Sequence, residues 1–136
     1  MKALTFPAFR NNGTAVQLAE VLAVIPENDL VWSILEFNGM GGTPDNLSMD
    51  EFEELVRRKP GGLMMSWGEL KKLSDGFCQT IDCIVVGAKT ERDILNAHKA
   101  GDDFSSCEVV LSAFDSTEWS VWAHDSELMK RLAAVY

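Results

Sequence analysis

A chain of 136 residues, 46% of them hydrophobic, is long enough for one domain with its own core. Its 21 acidic residues outnumber 12 basic ones and leave a net charge of −9, which argues against a nucleic-acid binder, because phosphate contacts need clustered Lys and Arg. Phe6, Pro7 and Arg10 interrupt the region after Met1, and no run of about 18 apolar residues exists, so neither a secretory signal nor a membrane span is expected and a cytoplasmic location is.

Leu4 to Phe9 reads as a first strand that Pro7 confines to a sheet edge or an extended arm. Asn11-Asn12-Gly13 is a turn, and Thr14 is placed as the N-cap of a helix whose inner stripe is Leu18, Val21, Leu22 and Ile25. Pro26 ends that helix. Leu30 to Phe37 is apolar on both alternating faces. Leu30, Trp32 and Ile34 fall on one side, and Val31, Leu35 and Phe37 on the other, as in an interior strand. The glycines of Gly39-Met40-Gly41-Gly42 predict a flexible loop that continues to Asn46.

Two segments carry capping boxes, Ser48 with Glu51 and Ser66 with Glu69. In the first helix, Phe52, Leu55 and Val56 form the inner stripe. Its acidic start and its Arg57-Arg58-Lys59 end complement the helix dipole, and Pro60-Gly61-Gly62 stops it. In the second, Leu70, Leu73 and Phe77 are assigned to the inner face, with Leu63 to Met65 as a short strand before it. Ile81 to Gly87 reads as a buried strand. A helix over Thr90 to Lys99 is expected to turn Ile94, Leu95 and His98 inward. Glu108 to Phe114 and Glu118 to His124 form an antiparallel hairpin around Asp115-Ser116-Thr117. Asp125 or Ser126 caps a last helix with Leu128, Leu132 and Val135 inside. No repeat, linker or domain boundary interrupts residues 1–136. The elements predict a mixed α+β domain with a sheet of four to five strands, helices packed on it, and a C-terminal hairpin plus helix.

No catalytic constellation emerges from these residues. The glycines at 39–42 lack phosphate-loop spacing, and carboxylates crowd the start of the next helix. There is no nucleophile elbow, and Asp125 beside His124 is read as a helix cap. Three cysteines, Cys78, Cys83 and Cys107, are an odd number best read as free thiols. The spacing of Cys78 and Cys83 does not suit zinc, and His98 and His124 are the only histidines. No cofactor or metal is expected, and the chain is read as a non-catalytic binder. Trp119 and Trp122 lie on opposite faces of their strand, so one packs in the core and the other is an exposed or covered anchor.

The segments Val31–Phe37 (VWSILEF), Met65–Leu70 (MSWGEL) and Ala113–Trp119 (AFDSTEW) resemble those of bacterial immunity proteins encoded beside secreted polymorphic toxins. The resemblance spans roughly residues 30–136. It implies a protein with no catalytic residues that binds one cognate toxin domain and blocks its active site or substrate path. If that toxin is a nuclease, its surface is basic, and an acidic inhibitor would be steered to it. The candidate contact surface is then Asp45, Asp50, Glu53 and Glu54, the loop residues Asp102 and Asp103, and Trp119 or Trp122. An adaptor of a bacterial assembly, or a small-ligand binder using Gly39–Asn46, are the alternatives.

Overall fold

The computed structural model describes residues 3–101 and 103–136. One antiparallel sheet of six strands runs in the order β1-β6-β5-β4-β2-β3. The strands are β1 (Leu4–Pro7), β2 (Val31–Gly41), β3 (Leu63–Met65), β4 (Phe77–Ala88), β5 (Val109–Phe114) and β6 (Glu118–Ala123). The helices are α1 (Leu18–Val24), α2 (Met49–Arg58), α3 (Trp67–Ser74), α4 (Glu91–Lys99) and α5 (Ser126–Val135). The α+β class is as expected, but the sheet is larger than four to five strands. The two weakest strand signals, the Pro7 arm and the three-residue Leu63–Met65, both pair and form its two edges. Among the described residues, no helix is long and apolar enough to cross a membrane.

Four helices cover one face. Leu18, Val21 and Leu22 of α1, Phe52 and Val56 of α2, Trp67 and Leu70 of α3, and Leu128 and Leu132 of α5 bury against Trp32, Ile34, Val85, Leu111, Trp119 and Val121 of the sheet. The second face is covered only in part. There α4 sets Ile94 and Ala97 with Val86, Ala88 and Cys107, flanked by Val31, Leu35, Ile84 and Val110.

Strand β2 departs from simple alternation. The register with β4 shifts between Ile34 and Glu36, making Leu35 the extra residue. Phe37 is thereby turned onto the face of Trp32 and Ile34, and it stacks on Phe77 with ring centroids 4.2 Å apart. The expected grouping of Phe37 with Val31 and Leu35 is therefore corrected. The flexible loop at Gly39 is also corrected, because Gly39, Met40 and Gly41 continue β2 and pair with Thr80, Gln79 and Phe77. A Cβ at Gly39 would collide with the Gln79 carbonyl and the Phe37 ring. The glycine there serves close backbone approach rather than mobility.

Both capping boxes form as expected. Ser48 Oγ accepts from the Glu51 N–H at 3.1 Å while Glu51 accepts from the Ser48 N–H at 3.0 Å. Ser66 and Glu69 repeat the pattern at 3.2 and 3.0 Å. The backbone hydrogen bond, and then the serine hydroxyl, hold each glutamate below the ordinary carboxylate range. Asp125 caps α5. Other local assignments move. The N-cap of α1 is Gln17, while Thr14 donates its N–H and hydroxyl to Asn12 Oδ1 at 3.0 and 2.6 Å within the preceding turn. Phe77 opens β4 instead of extending α3, since α3 ends at Ser74. His98 and Val135 are exposed rather than inward, each lying past the last buried residue of its helix, Ala97 in α4 and Leu132 in α5.

Candidate functional site

The carboxylates singled out from the sequence fall into two groups, one beside β2 and one in the loop before β5. Asp45 lies in a short 3-10 turn, Pro44–Asn46, leading into α2, and Asp50 is exposed in the first turn of α2. Asp50 and Glu54 border a shallow hollow floored by Leu47 and Leu55. Glu54 also pairs with Arg57 at 3.2 Å in an exposed contact that contributes little to stability.

Glu53 turns the other way. Beyond β3, the outer edge of β2 has no strand partner, and Glu53 Oε1 accepts from the edge N–H of Gly39 at 3.3 Å. The carboxylate thereby helps close a sheet edge that would otherwise offer unpaired backbone groups. Its surroundings form a cleft of about 270 Å³ with Glu36 and Asn38 of β2, Asp82 of β4, Arg57 of α2 and His98 of α4. Among the described residues no group of three or more His, Cys, Asp or Glu side chains is placed to hold a metal ion.

The second group lies two strands away. Asp103 accepts from the Ser105 N–H at 3.2 Å, and hydrogen bonds from Ser105, side chain first and backbone second, hold its carboxyl below the usual range. Asp102 lies outside the described residues. Trp122 is half-buried on the second face of β6, with the His124 ring set edge-on at 4.6 Å. It walls a groove of about 360 Å³ with Phe104, Ser105, Val110, Ser112 and Ser120. Trp119 is a core residue, 1% exposed, and its indole N–H donates to the Val16 carbonyl at 3.0 Å. The surface tryptophan is therefore Trp122.

Nucleophile chemistry finds little support at the buried thiols. Burial, and then the negative charges of Glu36 and Asp82, push the Cys83 thiol far up, so it stays protonated. Burial first, with Asp93 and Glu108, pushes Cys107 up to about 11. Cys78 is exposed. Asp125 is occupied as a cap, accepting from the Glu127 N–H at 2.8 Å, and His124 faces the Ser105 carbonyl at 3.1 Å.

One surface residue escaped the sequence reading. Phe114 ends β5 with 71% of its surface exposed, the most open large hydrophobic among the described residues. It looked like the end of an apolar run. Strict alternation from Val109 would have found it, since Val109, Leu111 and Ala113 point into the core and Phe114 therefore points out.

Compared with protein-family models, curated proteins and solved structures, the chain matches none of them.

Proposed function

We propose that this protein is a non-catalytic immunity protein that binds a cognate bacterial toxin domain and blocks it through an acidic surface. The observation that carries this reading is the excess of uncompensated carboxylates. The chain has 21 acidic residues, and the ion pairs among the described residues engage only Glu20, Glu54, Glu27, Glu108 and Glu127. Such a field accelerates encounter with a basic partner and disfavours acidic ones. Asp45, Asp50, Glu53 and Glu54 supply one acidic flank, and Asp103 with Trp122 the other. The partner is a basic protein, and a nuclease domain fits that chemistry.

The exposed Phe114 on the C-terminal hairpin also favours a second reading, an adaptor within a larger assembly. Capture by the protein encoded in the adjacent reading frame separates the two. The immunity reading expects a 1:1 complex whose association slows steeply as salt rises from about 0.01 M to about 0.15 M. An absent complex, or one indifferent to salt, overturns it.

A further inference from the structure

We infer that the uncovered strip of the second sheet face, centred on Phe114, is the surface that docks a basic protein partner. This rests on the binding reading above and gives that reading its central contact. Helix α4 covers only the part of the face over Val86, Ala88 and Val31. Beyond it the strand register sets out an outer, exposed row and a partly covered row between that one and α4. Asn38 pairs with Asp82, Phe114 stands one step past the Cys83–Ala113 pair, and Glu118 pairs with both Phe114 and Pro7. The next row runs Glu36–Ile84–Ser112–Ser120–Thr5. An exposed aromatic ring is thus flanked by carboxylates on both neighbouring strands, and neither row contains a lysine or an arginine. Small Ser112 and Ser120 leave a trough between Phe114 and the wall formed by Trp122. At the far end, Glu53, Glu36 and Asp82 line a cleft with Arg57 and His98, so three carboxylates there face one arginine.

The hairpin that presents Phe114 is held in place. The Ser116 N–H donates to the Ile81 carbonyl at 2.9 Å, the Thr117 N–H to the Phe114 carbonyl at 2.9 Å, and the Asp115 N–H to Asp82 Oδ1 at 2.8 Å. A backbone already fixed beneath the ring loses little conformational freedom on binding. Charge selects the occupant. In a two-fold contact a second copy would set the same patch against itself, bringing Glu118, Asp82 and Glu36 onto like charges at a net −9 per chain. A partner presenting an apolar pocket ringed by Lys and Arg matches both the ring and its flanking carboxylates.

The test uses the full chain and the purified protein encoded by the adjacent reading frame, with binding kinetics measured for three variants. Phe114→Ser is expected to weaken affinity at least about tenfold, chiefly through faster dissociation. Glu118→Lys is expected to slow association several-fold. Glu27→Lys makes the same charge change beside α1, on the helix-covered side, and is expected to slow association far less and to leave dissociation unchanged. Phe114 and Glu118 are exposed, so thermal unfolding should match the wild type. If Phe114→Ser proves unstable, Glu118→Lys against Glu27→Lys decides the matter. If the wild type binds and both strip variants bind equally well, the strip is overturned and the binding reading survives. If the wild type captures nothing, the binding reading falls and the strip falls with it.

Discussion

Trp119→Ala is expected to lower the free energy of unfolding by about 3–5 kcal/mol, whereas Trp122→Ala should cost well under half of that. The two tryptophans share a strand and differ only in the face they point to. Trp119 is 1% exposed within the main core. Removing its ring leaves a cavity between the helices and the sheet, and it leaves the Val16 carbonyl without the indole N–H that now reaches it at 3.0 Å. That bond ties the segment before α1 to β6, across 103 residues of sequence. Against the 5–15 kcal/mol typical of whole domains, roughly, such a loss is a large fraction. Trp122 is half-buried beside an open groove, where its neighbours can close in or admit water. Urea unfolding of both variants checks this. Equal midpoints would contradict the assignment of Trp119 to the core.

Gly62→Ala should destabilise the protein by about 2–5 kcal/mol, through two additive costs. Gly62 has φ +79°, in the left-handed region where a side chain is strained. An added Cβ would also collide with the Ile34 carbonyl and the Ser33 hydroxyl of the central strand β2. Neither group can retreat, because Ile34 is wholly buried and the Ser33 hydroxyl is held by the Gly61 carbonyl. The Pro60-Gly61-Gly62 stop is thus also the hinge that lays β3 against β2. Gly68→Ala makes an informative contrast. It is exposed in the first turn of α3 with open space around its Cα, so alanine should add up to about 0.5 kcal/mol through helix propensity alone. Thermal unfolding should show opposite shifts for the two substitutions. A Gly62→Ala protein as stable as the wild type would contradict the packing described for β3.

How much of this was legible in the sequence depended on the range of the interaction. The capping boxes at Ser48 and Ser66 join groups three residues apart and were readable directly. The hairpin around Asp115-Ser116-Thr117 was readable for the same reason. The N-cap of α1 was not, because Thr14 satisfies its backbone in the turn before the helix and the true cap lies three residues on. The side-chain faces of β2 were hidden by the bulge at Leu35, which depends on pairing with a strand some 50 residues away and leaves no local mark. The Gly39–Gly41 segment read as a loop because its glycines carry no strand propensity. Gly39 is required by the Gln79 carbonyl pressing close from β4, and Gly41 by a φ of +135° and the Gly76 carbonyl beside it. Of the carboxylates around the proposed strip, only Glu53 was singled out from the sequence; Glu36, Asp82 and Glu118 were not. Asp82, Glu118 and Phe114 become neighbours only through the order β6-β5-β4.

The central claim is that this protein protects by binding, and growth of a sensitive host measures that most directly. The protein encoded in the adjacent reading frame would be expressed alone, and then together with this chain. The account predicts death in the first case, growth in the second, and recovery of the two proteins as one complex. A neighbour that is harmless alone, or a host that dies despite equal expression of this chain, would contradict it.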